Sequence, residues 1–419
     1  MGLDSTNLKR ELGRQLQHWR LAAGRLSPLE SIAPLSSWRS LEHYLGVALR
    51  QTLGQTLSRL HQQGERLEAQ LAAASESTAL ARVRAGIMRY RREYLRAETT
   101  VDFYADALAT RAAPRIGALL RACDHIATRS MSEALSPLGR QVPAVLSYLD
   151  AGLGASILKA GLRLWDGTSE SPVATVKITR HNLLRPTSAI HEAGHQVAHM
   201  LGWNDELSAC FLRRLQNGSE PVRRLWSSWA SEIAADAFAF ACTGYAAVTA
   251  LHDVVDGGSA RVFTILPGDP HPVSYLRLRL GVAMCRVSFG EGPWDALERS
   301  WCRQYPLQLG GEARELFEQS VTLLPLAASL VLKAPFRAFG NRPLVALVNP
   351  ARVSPRALEE LERAAGQAAF TSPYWIWNES IRLLALTGYR ASESAASMRD
   401  ALIQQERWML RIGGLQEAA

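Results

Sequence analysis

One short string in the sequence has the residue types and spacing needed to bind a metal ion. Residues 191–195 read His-Glu-Ala-Gly-His and fit the pattern H-E-x-x-H. Residues four apart in a helix lie on the same face, so His191 and His195 could bind one zinc ion. Glu192 would lie beside the open coordination position and take a proton from a zinc-bound water. The alternative is a surface helix with two histidines, since chance produces such a pentapeptide on the order of once per hundred proteins.

A third metal ligand is predicted on the next helix, in the string Ser-Glu-Ile-Ala-Ala-Asp at residues 231–236. Catalytic zinc sites use three protein ligands, and Glu232 is the candidate. Asp236 lies on the same helix face, where its carboxylate could accept a hydrogen bond from a ligating histidine and fix its tautomer. His199 has the wrong spacing for the histidine third ligand of metzincins, so packing or hydrogen bonding behind the ligands is its favoured role. The alanines around Glu232 would let two helices approach closely, although alanine is also simply a good helix former.

A third segment, residues 269–278, adds a histidine and an arginine. It reads Asp-Pro-His-Pro-Val-Ser-Tyr-Leu-Arg-Leu and contains His271 and Arg277. Both side chains could stabilise the oxyanion of a tetrahedral intermediate. The sequence therefore predicts that three separate segments meet at one site.

In this order, the three strings resemble the gluzincins of the CAAX-prenyl-protease and HtpX-like membrane peptidase family. The resemblance covers about residues 190–278 and rests on H-E-x-x-H, on E-x-x-A-D and on H-P with an arginine six residues after the histidine. It implies a zinc ion, Zn²⁺, held by His191, His195 and Glu232. It also implies four further roles: Glu192 as general base, Asp236 behind a ligating histidine, His271 as a transition-state stabiliser and Arg277 as a site-ordering residue. Family members carry transmembrane helices that this sequence does not predict, so only the catalytic core is carried over.

The elements that must position these residues are predicted to be mainly helical. Leucines at helical spacing predict long amphipathic helices from Ser36 to about Ser130, with breaks at residues 75–78 and at Pro114. Pro186 and Gly202 bracket a helix from Thr187 to Leu201, and a second helix is predicted from about residue 221 to 244. Two strands are predicted, at residues 172–179 and 261–266.

These elements predict a mainly α (α+β) fold, in which a zincin-like catalytic core with a small sheet is flanked by long amphipathic helices and a C-terminal helical region. The predicted segments are an N-terminal helical bundle or hairpin at 1–150, the metallopeptidase core at 151–290 and the helical region at 291–419. The strand at residues 173–179 is a candidate sheet edge that could pair with an extended substrate, or an ordinary sheet strand.

Composition narrows the class of protein. With 419 residues, 47% hydrophobic and 21% charged, and a mean hydropathy of −0.07, the chain is predicted to be folded and water-soluble. The net charge is +8, but arginines occur along the whole chain with acidic residues between them, so nucleic acid is an unlikely partner. Five widely spaced cysteines without C-x-x-C exclude a disulfide framework. The longest apolar stretch, Val321–Leu332, is interrupted by Pro325 and is too short to cross a bilayer, so no transmembrane helix is predicted. No secretory signal is found either, and a cytoplasmic bacterial protein is predicted.

The sequence thus predicts a soluble zinc-dependent metallopeptidase that cleaves a peptide or protein substrate with a zinc-activated water and Glu192 as general base. The alternative is a non-catalytic regulatory or interaction protein. Its zincin core would be structural or self-processing, and the arginine-rich helical bundle would be the functional surface.

Overall fold

A computed structural model of the chain describes residues 2–150, 156–158, 173–183 and 185–414. The chain separates into two compact units. The first comprises Met1–Ala112 and Leu158–Thr175, and the second comprises Ala113–Ile157 and Val176–Ala419.

The described part of the first unit contains four long or medium helices. They are α1 (Gly2–Arg25), α2 (Leu35–Leu45), α3 (Leu49–Ala73) and α4 (Ser77–Arg111). Leucines spaced three, four or seven residues apart on α3 are buried, among them Leu53, Leu57, Leu60, Leu67 and Leu71. Helices α1, α3 and α4 pack against one another. The predicted amphipathic helices and the break at residues 75–78 are therefore confirmed.

The described part of the second unit is also mainly helical. Its first helices are α5 (Pro114–Leu135), α6 (Thr187–Leu201), α7 (Trp203–Arg214), α8 (Glu220–Ser228), α9 (Ala230–Thr243), α10 (Tyr245–Val255), α11 (Ser259–Phe263) and α12 (Ser274–Phe289). The later helices are α13 (Pro293–Gln304), α14 (Gly311–Lys333), α15 (Leu344–Leu347), α16 (Pro355–Ala365), α17 (Ala368–Thr371), α18 (Pro373–Asn378), α19 (Ser380–Ala391) and α20 (Ala395–Ile412). The alanine-rich helix α9 is almost wholly buried and contacts α6, α7, α12, α14 and α19. It is the central helix of this unit.

The contacts divide the chain differently from the three predicted segments. Helix α5, predicted to belong to the N-terminal bundle, packs on α6, which carries the H-E-x-x-H string. Helices beyond residue 290, such as α14 and α19, pack on α9, which carries Glu232. The predicted core at residues 151–290 is therefore surrounded by helices from both sides of the sequence.

The helix predictions near the motif have three different outcomes. Helix α6 has the predicted bounds and ends at Gly202, whose φ of 69° is easily adopted only by glycine. The single helix predicted for residues 221–244 is two helices, because the backbone at Trp229 leaves the helical conformation with ψ near 0°. The predicted strand at residues 261–266 is wrong, because the short helix α11 covers its first half and the other half is not in a strand. Phe263 there packs against Tyr275 and Phe317, so tertiary contacts override a weak strand pattern.

A three-stranded sheet completes the fold. Its strands are β1 (Val145–Leu149), β2 (Ser156–Leu158) and β3 (Ala174–Ile178), in the order β1-β3-β2. The Asp150 amide donates to the Ile178 carbonyl at 3.1 Å, which places the ends of β1 and β3 together in parallel. The expectation that residues 173–179 form a sheet edge is wrong, because β3 has a hydrogen-bonded neighbour on each side. The mainly α fold with a small sheet is confirmed.

Helix α14 is more continuous than the sequence predicts. Pro325 lies inside it and does not interrupt it, so its 23 residues are long and apolar enough to cross a membrane by length and composition. Half of its most apolar window is buried within the protein, and the helix packs against α12, as a core helix does. The absence of a membrane span stays a prediction.

Candidate metal centre

A close contact between helices α6 and α9 builds the candidate site. At Gly194, a Cβ atom would lie 3.0 Å from the Cα of Ala235 and 3.0 Å from the Cβ of Phe238. Ordinary carbon–carbon contacts are about 3.5–4.0 Å, so only glycine permits this spacing. The variable residue just before the second histidine of H-E-x-x-H is therefore the point at which the two helices meet.

This contact brings the three predicted ligands together. The Nε2 atom of His195 lies 3.2 Å from Oε1 of Glu232, and the Nε2 atom of His191 lies 3.5 Å from Oε2 of the same carboxylate. One ligand atom from each residue lies within 4.8 Å of the other two. A tetrahedral zinc ion with bonds of about 2.1 Å separates its ligand atoms by about 3.4 Å, and the two histidine-to-Glu232 distances lie near this value.

Two hydrogen-bond partners orient the histidine rings. Asp236 Oδ1 lies 2.9 Å from Nδ1 of His191. Because an ionised carboxylate only accepts, Nδ1 carries a proton, and loss of the second proton from Nε2 would present the lone pair of that atom to a metal. Ser231 Oγ lies 3.5 Å from Nδ1 of His195, a longer contact in which either atom can be the donor. The sequence analysis did not identify Ser231, and only its position next to Glu232 could have drawn attention to it.

Arg277, from helix α12, holds the two carboxylates of α9. Its Nε donates to Oδ2 of Asp236 at 2.7 Å, and its Nη2 donates to Oδ1 of Asp236 at 2.9 Å and to Oε2 of Glu232 at 3.1 Å. The side chain is 10% exposed. The suggestion from spacing alone that Arg277 stabilises an oxyanion does not fit, because its donors are directed at these carboxylates. Its contacts agree instead with a site-ordering residue.

Hydrogen bonds and charges outweigh burial in setting the pKa values of this group. Burial lowers the pKa of His191, but hydrogen bonds with Asp236 and Glu232 raise it to about 10. Burial raises the pKa of Asp236, but the charge of Arg277 and the hydrogen bond with His191 bring it to about 2. Burial likewise raises the pKa of Glu232, yet hydrogen bonds with His191 and His195 hold it well below its ordinary value. Both carboxylates are therefore ionised at neutral pH.

Glu192 is buried at 5% exposure, and burial raises its pKa despite the nearby histidines. In the metal-free protein at neutral pH, His191 and Arg277 carry the positive charges opposite the ionised Glu232 and Asp236. A metal ion that displaced the His191 proton would take its place as the cation beside these carboxylates. Two imidazoles and one carboxylate are a donor set that a divalent metal ion such as Zn²⁺ accepts.

His271 reaches the same carboxylate from the exposed side. Its Nε2 lies 3.5 Å from Oε2 of Glu232, and its side chain is 55% exposed. Oδ1 of Asp269 lies 2.6 Å from Nδ1 of His271 and accepts a hydrogen bond from the backbone amide of His271 at 2.9 Å. The backbone hydrogen bond is the main reason that the pKa of Asp269 is lowered. Asp269 was missed as a site residue, although an aspartate two residues before a histidine can form such a turn.

All seven predicted site residues thus meet in one cluster. They are His191, Glu192, His195, Glu232, Asp236, His271 and Arg277. His199 is exposed and is not one of the three clustered ligands. No family model, curated protein or solved structure matches this chain. The arrangement of side chains, rather than an established relationship, is what bears on function.

Proposed function

We propose that the protein is a zinc-dependent metallopeptidase. The observation that carries this proposal is the group of His191, His195 and Glu232, with Glu192 buried beside it. The pairing of Nδ1 of His191 with Asp236 adds support, because metal-binding histidines are usually held this way. Three protein ligands leave a coordination position open, as catalytic zinc sites require.

The chain's own residues divide the work of peptide hydrolysis. A zinc ion, when bound, supplies Lewis acidity that polarises the scissile carbonyl and lowers the pKa of water. Glu192 accepts a proton from the attacking water and delivers it to the leaving amine. Its burial raises its pKa, which moves it towards the neutral range in which a base can also return the proton.

His271 is proposed to contact the substrate. Its partial exposure puts it on the open side of Glu232, and the two hydrogen bonds to Asp269 fix its position. From there, with a proton on each ring nitrogen, its Nε2–H would donate a hydrogen bond to the substrate carbonyl oxygen as negative charge develops on it. Arg277 and Asp236 would act through the ligands that they orient and would not contact the substrate.

Zinc content and peptide hydrolysis, measured on the same preparations, test the proposal. Wild type and Glu192→Gln should each bind one zinc ion per chain, measured by elemental mass spectrometry, and only wild type should hydrolyse a peptide library. His195→Ala and Glu232→Ala should lose zinc as well as hydrolysis. His199→Ala, on the exposed part of the same helix, is the matched control and should keep both.

Two results would contradict the proposal. Hydrolysis that survives in Glu192→Gln would exclude the proposed base. Zinc bound by wild type without hydrolysis of any peptide in the library would favour the non-catalytic regulatory protein.

A further inference from the structure

Helix α4 carries an unusual concentration of arginine. Residues 82–96 contain six arginines and one acidic residue, Glu93, so these fifteen residues carry a net charge of +5, whereas the whole chain carries +8. At about 100° per residue, four of the arginines fall within an arc of about 80° on one side of the helix. We name this set the α4 ridge: Arg82, Arg89, Arg92 and Arg96. It extends about 21 Å along the helix axis.

No arginine of the ridge has a partner within the described part of the chain. All four side chains are exposed, and none makes a hydrogen bond or ion pair with a described residue. Some exposed arginines on other helices pair with a carboxylate three or four residues away, whereas others, such as Arg399, have no partner among the described residues. Examples of the pairs are Arg14 with Glu11, Arg224 with Glu220, Arg314 with Glu318 and Arg356 with Glu360. Four adjacent unpaired guanidinium groups repel one another, so a polyanion bound along them would lower the electrostatic energy.

Packing within the first unit argues against a lipid surface as that polyanion. The large apolar side chains of α4, such as Val83, Ile87 and Tyr90, are buried. Helices that bind bilayers present an apolar face for insertion, whereas the apolar face of α4 is already buried within the first unit. Leu95 is an exposed apolar residue on α4, at 40%, but it lies about 60° outside the arc.

A narrow line of guanidinium groups instead suits a linear chain of phosphates. Arginine donates two parallel hydrogen bonds to a phosphate, and duplex DNA carries one phosphate of each strand every 3.4 Å of its axis, so a duplex lying against the ridge offers phosphates to several of its arginines. We propose that the α4 ridge binds the phosphate backbone of duplex nucleic acid, without reading its sequence. This binding is independent of the proposed peptidase activity. The net charge of the whole chain did not predict nucleic-acid binding, whereas this proposal rests on the local positive charge of helix α4.

Binding of a labelled DNA duplex by the full chain tests the proposal. Fluorescence anisotropy would be measured with a duplex of about 20 base pairs, at salt concentrations from about 50 to 200 mM. The variant R82Q/R89Q/R92Q/R96Q removes the ridge, and R14Q/R224Q/R314Q/R356Q removes the same charge from paired arginines. Thermal unfolding followed by circular dichroism checks that both variants are folded.

Wild type should bind with a dissociation constant that rises steeply with salt. If the ridge contacts four phosphates, its removal should reduce the slope of log K against log salt by about 3.6, while the control variant keeps most of the wild-type slope. Equal losses in the two variants would overturn the proposal, because net charge alone would explain them. It would also be overturned if wild type bound no duplex at the lowest salt, or bound only vesicles of phosphatidylcholine and phosphatidylserine.

Discussion

The contact between helices α6 and α9 at Gly194 predicts a coupled loss of stability and zinc affinity in Gly194→Ala. The added methyl group would lie 3.0 Å from Ala235 Cα, 3.0 Å from Phe238 Cβ and 3.1 Å from the Ala235 carbonyl oxygen. None of these atoms is the end of a flexible side chain. The helices must therefore move apart. A shift of about half an ångström restores the ordinary carbon–carbon contact distance.

Two opposing terms set the expected change in the free energy of unfolding. Overpacking a buried contact costs about 1–3 kcal/mol, whereas replacing glycine by alanine within a helix gains about 1 kcal/mol. The net expectation is a loss of up to about 2 kcal/mol. Because the shift separates the histidines of α6 from Glu232 on α9, we also expect zinc affinity to fall by about tenfold, at the low end of the cost of disturbing ligand orientation.

Chemical denaturation of the metal-free protein and competition for zinc with a chelator measure the two effects. Gly54→Ala is the matched control, because Gly54 lies in helix α3 with no atom within 4 Å of the added Cβ. It should stabilise the protein by about 0.4–1 kcal/mol and leave zinc affinity unchanged. If Gly194→Ala behaved like this control in both measurements, the account of the helix contact would be refuted.

Two further predictions concern the charges of the site. Arg277→Met leaves Asp236 and Glu232 buried without their guanidinium partner and should destabilise the protein by about 3–5 kcal/mol in urea unfolding. A loss below about 1 kcal/mol would mean that Arg277 does not hold these carboxylates. The pKa of His191 is raised to about 10, so zinc must displace a proton from this ring when it binds at neutral pH. Zinc binding should therefore release that proton, and zinc affinity should rise as the pH approaches 10. The same raised pKa means that His191 stabilises the metal-free protein below about pH 6.5 and that this contribution is lost towards pH 10. Calorimetry in buffers of different ionisation enthalpy measures the proton release, and a value of zero would contradict the predicted charge on His191.

Features with a local cause were predictable from the sequence. The bounds of α6 follow from Pro186 and Gly202, which act within one turn of the helix ends. The pairs His191 with His195, and Glu232 with Asp236, follow from the helical repeat, which places residues four apart on one face. These two pairs supplied all three candidate metal ligands and the carboxylate behind them.

Features that depend on distant parts of the chain were not predictable in this way. The spacing of residues 173–179 indicates a strand, but its central place in the sheet depends on β1 and β2, which lie elsewhere in the sequence. Ser231 and Asp269 support the histidines through short polar side chains, and no periodic pattern marks such residues. The role of Arg277 was ambiguous for the same reason. A guanidinium near a site can face either a substrate or a carboxylate, and only its contacts decide between them.

The way the site is supported favours a catalytic metal over a structural one. Structural zinc ions supply folding energy to domains that otherwise lack it. Here helix α9 is central to a large core, and its contact with α6 is made by Gly194, Ala235 and Phe238. The carboxylates of Glu232 and Asp236 are already hydrogen-bonded to Arg277. Protein packing therefore positions the ligands without help from an ion, so a bound metal ion would not be needed to hold them together and could keep an open position for substrate.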